Sequence, residues 1–278
     1  MKILIAFAAF KRPTLTDMVV DYYRSLKKDF NIDIVIASSE GLKYEGCTVV
    51  EVDNLPLTNK HNALFEACKD LEHDGIILIG SDDFICPKQL QWYFDKMKAG
   101  SKTIHSFKDV YFYVTKTGNL SHFTYSHETG VGAGRFYPKA VLKKLNYKAW
   151  SGEANKGLDT NSKNYLLSLG IKEKVHELTG LIVDVKTGFN ITPEIIADSG
   201  VQCDVSLLGQ LGDEWAAKIR GVEYIPPVTM AVDTAATWVV MKSTSAHPSK
   251  KAGIMFECDP MTAKVLADRK MATVVENK

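Results

Sequence analysis

Short apolar runs alternate with helically spaced ones along the first hundred residues. Ile3 to Phe10 is a continuous apolar run, the kind that forms a strand covered on both faces. Pro13 punctuates it. From Thr14 to Asp29 the apolar residues Leu15, Met18, Val19, Tyr22 and Leu26 recur at a helical period. Ile32 to Ala37 and Thr48 to Val52 read as a second and a third strand, and Asn59 to Leu71 as a helix through Ala63, Leu64, Ala67 and Leu71. Gly75 to Gly80 is another buried strand, ending in Ser81-Asp82-Asp83. Pro87 stands where a helix starts, and Leu90 to Met97 continue it. The predicted order is β-α-β-β-α-β-α, an α/β layered sheet that is mainly parallel.

The pattern then changes. Thr103 to Tyr125 is rich in β-branched and aromatic residues around a turn at Thr117-Gly118-Asn119, which predicts antiparallel strands. Gly130, Gly132 and Gly134 form a flexible turn; Pro138 to Leu145 and Leu158 to Leu169 read as helices, the second stopped by Gly170. Short strands are expected within Val175 to Val185, and a helix over Pro193 to Arg220 with a loop around Gly200. After Pro226-Pro227 the expectation is strands over Val228 to Lys242, a strand at Ile254 to Phe256, a helix over Met261 to Asp268 and a strand at Ala272 to Val275. The domain reading is therefore a main domain over 1–221 and a small appended α+β module over 222–278, near the lower size limit for independent folding.

Composition narrows the function classes. With 34 Lys and Arg against 33 acids the net charge is +1, which argues against a surface given over to polyanions. The five cysteines, Cys47, Cys68, Cys86, Cys203 and Cys258, are scattered with no C-x-x-C pair, a pattern of idle thiols in a reducing compartment. No run of 18 apolar residues exists, so no transmembrane helix is expected. Lys11, Arg12 and Pro13 follow the first apolar run where a signal peptide would carry its cleavage site. That run reads as a buried strand, and the expected location is cytoplasmic.

The sharpest chemical signal is Ile77-Leu78-Ile79-Gly80-Ser81-Asp82-Asp83, two adjacent carboxylates at the carboxyl end of a buried strand. Ligands of open α/β sheets bind outside those strand ends, and carboxylates there suit Mg²⁺ or Mn²⁺. A solvated turn leading into the next helix is the alternative. Asp159 lies in Gly157-Leu158-Asp159-Thr160 just before a helix, where it is either a general base or an N-cap. Thr129 to Phe136 carries three alternating glycines but not G-x-G-x-x-G, and such a turn lets backbone approach a ligand closely.

Four segments, taken in order, resemble the GT-A fold glycosyltransferases, closest to their large family 2. They are the strand ending in Lys11-Arg12-Pro13, the segment Leu57-Thr58-Asn59-Lys60-His61-Asn62-Ala63-Leu64, Ser81-Asp82-Asp83 in place of Asp-x-Asp, and Gly157-Leu158-Asp159-Thr160 in place of Gly-Glu-Asp. The resemblance covers about residues 1 to 195. It implies a GT-A-like mixed sheet flanked by helices and a metal-dependent transfer of a sugar from a nucleoside diphosphate, a UDP-sugar first, to an acceptor hydroxyl. It implies Asp82 and Asp83 on the metal, with His176 as a further ligand, and Asp159 as the base of an inverting reaction. It also implies Arg12, Lys60, Asn62, Ser81 and Asp82 around the donor, and Gly132 and Gly134 bordering the sugar. The leading Asp of the metal motif is missing, Leu158 replaces Glu, and the acceptor motif Gln-x-x-Arg-Trp is absent. Stereochemistry and acceptor therefore stay open, a modified DNA base being possible but not favoured.

Physical chemistry is consistent with the roles the resemblance implies, while Arg12 reads equally as a surface residue at a helix entry and Asn62 as the polar start of its helix. A divalent cation at Asp82 and Asp83 neutralises charge developing on a diphosphate leaving group, and Lys60 offers it a point charge. Asp184 and Lys186 fall on one face of a short strand, to meet metal and diphosphate or simply solvent. Glu153 is a substitute base, and Trp150 either packs or stacks on a sugar. His122 and His127 lack metal-ligand spacing, and Lys242, Lys250 and Lys251 form a basic cluster that reads as a solvated loop. Two other classes compete. A sugar nucleotidyltransferase would want a Gly-rich loop where Ala8-Ala9-Phe10-Lys11-Arg12-Pro13 stands. A non-enzymatic carbohydrate- or partner-binding protein would bind no metal.

Overall fold

A computed structural model describes residues 1–125, 130–188 and 200–224, together with strands at 239–243, 255–258 and 272–277. The chain divides into two compact units, Met1–Ile225 and Pro226–Lys278. The first unit is mixed α/β. Its strands are β1 (Ile3–Ala9), β2 (Ile32–Ser38), β3 (Thr48–Glu51), β4 (Gly75–Gly80), β5 (Asp83–Ile85), β6 (Ile104–Phe107), β7 (Asp109–Val114), β8 (Asn119–Thr124), β9 (Arg135–Pro138), β10 (Glu173–His176), β11 (Ile182–Lys186) and β12 (Val201–Cys203). Among the described residues its helices are α1 (Pro13–Leu26), α2 (Leu57–Ala67), α3 (Pro87–Lys98), α4 (Lys139–Lys144), α5 (Leu158–Ser168) and α6 (Asp213–Arg220), with a 3-10 helix at Val205–Leu211.

Seven strands form the larger sheet in the order β10-β6-β9-β4-β1-β2-β3. β1 is central and parallel to both β2 and β4, while β9 runs antiparallel to β4 and β6. β1 shows why the first apolar run is unbroken. Ile3, Ile5 and Phe7 enter one core and Leu4 and Ala6 the other, so both faces of the strand are covered. A second sheet, β12-β8-β7-β11-β5, is mixed: β7 and β11 are parallel, and β11 meets β5 antiparallel. In α1, Tyr22 donates to Ile85 O at 2.6 Å and Tyr23 to Asp83 O at 3.3 Å, anchoring the backbone of β5.

Three elements differ from the sequence expectation. β5 is only Asp-Phe-Ile, and its leading acid makes it read as part of a turn. β9 opens with Arg135, a charge that interrupts the apolar pattern although the side chain is fully buried. Of the helix expected over Pro193 to Arg220, residues 193–199 lie outside the described residues, Val201–Cys203 is a strand, and α6 covers Asp213–Arg220. No helix among the described residues is long and apolar enough to cross a membrane. The second unit holds β13 (Val239–Ser243), β14 (Met255–Cys258) and β15 (Ala272–Asn277), an antiparallel sheet ordered β14-β13-β15. The predicted helix at Met261–Asp268, the start of the predicted strands at Val228, and Lys250 and Lys251 lie outside the described residues, as does His127.

Candidate functional site

A cleft of about 840 Å³ opens where β1 and β4 end, bounded also by β7, β11, the glycine turn and the start of α5. Three carboxylates meet in it. Asp83 heads β5 directly after the β4 turn, and the antiparallel register sets it opposite Asp184 of β11. Residues opposed in this way lie on one face with Cβ atoms roughly 5 Å apart. Asp82 comes from the turn between β4 and β5, and Val185 N–H donates to its carbonyl at 2.9 Å. One carboxylate oxygen from each of Asp82, Asp83 and Asp184 lies within 4.8 Å of the other two.

Like charges this close are unfavourable unless something uses them. Burial and the neighbouring Asp184 and Asp82 push the Asp83 carboxyl well above the usual range. Burial pushes Asp184 up to about 6, against the pull of Lys186 and with the push of Asp82. Gly80 N–H donates to Asp83 Oδ2 at 2.5 Å, Lys186 Nζ donates to Asp184 Oδ2 at 2.5 Å, and Arg12 Nη1 is in direct contact with Asp82 Oδ2. Burial alone would loosen the Arg12 proton, but Asp82 and Asp184 more than restore it. Three buried polar atoms here have no hydrogen-bond partner: Asp184 Oδ1, Arg12 Nε and Ser81 Oγ. Buried polar atoms without a partner call for one, and a ligand in the cleft would supply it. An all-oxygen, anionic donor set with an orphaned carboxylate oxygen fits Mg²⁺ or Mn²⁺.

Asp159 lines the other end of the cleft, in the first turn of α5. The N-cap of that helix is Gly157, in left-handed backbone, and not Asp159. The loop before α5 is tied down from two sides. Asn62 donates to Trp150 O and accepts from the Ala149 and Trp150 N–H groups at 2.9–3.2 Å. Asn161 exchanges two bonds with Ser151. A Cβ on Gly132 would come 2.5 Å from Asp159 Oδ1, so glycine is what admits the carboxylate against the turn.

Several expected residues have other jobs here. Lys60 is fully buried and directs its ammonium to Ala9 O at 2.8 Å, Asn54 Oδ1 at 3.0 Å and Ser39 Oγ at 3.5 Å. It braces the ends of β1 and β2 in the cleft wall, and burial lowers its pKa. Asn62 clamps the Trp150 loop and is not a lining residue. Gly134 packs instead against Ile182 and Tyr93. His176 is not brought to the carboxylates: on β10, at the sheet edge, its Nε2 meets His105 Nδ1 at 2.9 Å. Trp150 reaches the cleft but is buried against Phe65 and His61. Glu153 does not line it, and His122 pairs with Asp109 at 3.0 Å.

Three residues given no role in the sequence reading also belong to this site. Arg135, buried on β9, donates to Gly130 O at 2.7 Å and lies 3.3 Å from Glu173 and 3.9 Å from Asp159. It links the glycine turn to the helix that carries Asp159. His61 lines the cleft with Nδ1 at 2.9 Å from Leu57 O; burial lowers its pKa, with Asp159 pulling the other way. Tyr125 lines the cleft too, its phenol pushed up to about 12 by burial, then by Asp159, Asp184 and Asp83. It is a neutral hydroxyl in the field of both ends. The one signal in the sequence was Arg135 itself, a lone charge between a glycine turn and Phe-Tyr-Pro.

No protein-family model and no curated protein matches the chain. Among solved structures it is similar to S. aureus TarS 1–349, with a TM-score of 0.47 at 12% identity over 66% of this chain and 60% of that one. It is similar also to a 4-diphosphocytidyl-2C-methyl-D-erythritol synthase, with a TM-score of 0.40 at 12% identity over 64% of this chain and 87% of that one. The chain thus spans 60% of the TarS structure. The functional reading rests on the cleft's own residues.

Proposed function

We propose that the chain is a metal-dependent glycosyltransferase that moves a sugar from a nucleoside diphosphate, a UDP-sugar first, to an acceptor hydroxyl. The observation that carries this reading is the convergence of Asp82, Asp83 and Asp184 at one end of a cleft that holds Asp159 at the other. Strands, not loops, hold two of the three carboxylates, the rigidity a metal centre needs.

Asp82, Asp83 and Asp184 would hold Mn²⁺ or Mg²⁺, which supplies a Lewis acid for the diphosphate leaving group. Arg12 and the Ser81 hydroxyl offer donors to phosphate oxygens, and Lys60 keeps the strand ends in place. Asp159 is half exposed, so an acceptor hydroxyl can reach it. As general base it takes the proton from that hydroxyl while the oxygen attacks the anomeric carbon opposite the diphosphate, and the configuration inverts. Arg135 and Gly132 fix where that carboxylate stands.

The test is a donor-hydrolysis panel over UDP-, GDP- and dTDP-sugars with Mn²⁺. Metal-dependent release of one nucleoside diphosphate is the expected result. Pyrophosphate release from a nucleoside triphosphate would mark a nucleotidyltransferase instead. Stabilisation by a saccharide with no turnover of any donor would mark a binding protein.

A further inference from the structure

Asp82 has two claimants. It is one of the three converging carboxylates, and its Oδ2 is in direct contact with Arg12 Nη1. The contact is largely buried, with the Arg12 side chain 12% exposed. Arg12 sits between two backbone constraints. Lys11 before it holds left-handed backbone, and Pro13 after it occupies the first turn of α1. The guanidinium can move by its side-chain torsions while its Cα stays put.

The charges at this end of the cleft are three carboxylates against Arg12 and Lys186, a formal balance of −1. A divalent cation alone turns that positive. A diphosphate alone adds negative charge beside Asp83 and Asp184. Each is accommodated better once the other is there. The Lys186 ammonium lies over the Phe112 ring at 4.9 Å, and its residue is almost wholly buried on β11. Arg12, at the cleft wall with an orphaned Nε, is the cation with somewhere to go. A guanidinium fork also suits a diphosphate.

We propose that Arg12 and the divalent cation compete for Asp82, and that a nucleoside diphosphate ends the competition by taking the guanidinium onto its phosphates. This rests on the cleft being a nucleotide-sugar site. It makes cation and diphosphate binding cooperative, and by linkage each tightens the other by the same factor.

The experiment measures Mn²⁺ binding by loss of the free-ion paramagnetic resonance signal, with and without UDP. The proteins are the unaltered chain, Arg12→Gln, Arg12→Lys and Asp83→Asn. Arg12→Gln is expected to bind Mn²⁺ about fivefold or more tightly without UDP, the lower end of typical couplings. Its gain in Mn²⁺ affinity on adding UDP is expected to shrink. Arg12→Lys keeps a charge on Asp82 but no fork, so its Mn²⁺ binding stays weak and UDP helps little. Asp83→Asn loses Mn²⁺ in every condition. Equal or weaker Mn²⁺ binding in Arg12→Gln, with the unaltered chain binding Mn²⁺, overturns the competition, because Asp82 would then bridge both groups. If neither protein binds Mn²⁺ at any UDP concentration, the metal reading of the cleft fails and the competition with it.

Discussion

At one end of the cleft, Asp82 and Asp83 are buried and Asp184 is largely covered, two of the three on paired strands. At the other, Asp159 is half exposed on the first turn of an eleven-residue helix whose N-cap has no side-chain bond. The first end stores repulsion: opposed acids in an antiparallel ladder are unfavourable, and burial worsens it. The second end stores none and depends on placement, through Gly132, Arg135 and the clamped loop at Ala149–Trp150. A cation and a diphosphate must be gripped, whereas an acceptor must enter and leave. The comparison predicts that one end tolerates no chemical change and that the other is sensitive to small displacements.

The largest effect is expected at the buried end. Asp83→Asn keeps an oxygen to accept from Gly80 N–H but removes the charge. Mn²⁺-dependent turnover should fall on the order of 10³-fold or more, since a bound cation supplies several kcal/mol of transition-state stabilisation. The same substitution relieves repulsion with Asp82 and Asp184, so the metal-free protein should melt higher, a trade-off typical of strained sites. Full Mn²⁺-dependent turnover in Asp83→Asn would erase the distinction between the two ends.

At the open end, Asp159→Asn keeps size but cannot take a proton. Transfer should drop by about 10²–10⁴-fold, with UDP affinity and melting temperature nearly unchanged. Wild-type transfer, or a product that retains the anomeric configuration, would remove Asp159 as an inverting base.

Placement alone is tested by Gly132→Ala. The new methyl group would lie 2.5 Å from Asp159 Oδ1, the far end of a flexible side chain. The carboxylate would turn aside with little strain, so stability should hold. A misplacement of about 1 Å can cost roughly 10²-fold in rate, and a loss of about that size in kcat with unaltered Mn²⁺ binding is expected. If the rate is unchanged, the close approach of the turn to Asp159 is incidental.

How far each end could be read in the sequence follows from how it is built. Asp82 and Asp83 are adjacent in sequence and end an apolar run, so strand-end chemistry exposed them directly. Asp184 lies about a hundred positions on, and only the β5–β11 register joins it to them. β5 is too short to show a period, so that register was invisible. Asp159 was legible as an acid before a helix, but its support was not. Arg135 and Glu173 stand on β9 and β10, on either side of β6 in the larger sheet, and no sequence pattern shows that they meet across it. The order of β1 to β4 with α1 to α3 was legible because apolar runs such as β1 and β4 are buried on both faces; only β5 was missed there. Lys60 lines the cleft, as the sequence led one to expect, but the sequence does not show that its ammonium bonds to Ala9, Asn54 and Ser39.

His176 belongs to neither end, and its replacement gives the smallest expected effect on function. Its contact is His105, held also by Ser101 Oγ at 2.6 Å and flanked by Trp92. His176→Gln should leave Mn²⁺ affinity unchanged; a clear loss would return this residue to the metal centre and break the two-ended division of the cleft. The histidine pair should show itself in acid stability instead. Burial, then the neighbouring His176, Lys96 and Lys174, push His105 down to about 4, and burial followed by Lys139 does the same to His73. A histidine whose folded pKa lies below its unfolded value of about 6.5 takes up its proton first in the unfolded chain. Its contribution to stability is complete above pH 6.5 and is lost as pH falls toward 4. Each such group is linked to at most about 1.4 kcal/mol per pH unit across that window. The raised carboxyls of Asp83 and Asp184 act in the opposite sense over the same window, so the histidine contribution is read as a difference between proteins: from pH 6.5 to pH 4 the melting temperature of His105→Gln should fall less, or rise more, than that of the unaltered chain. An unchanged slope in that variant would show that His105 is as easily protonated in the fold as out of it.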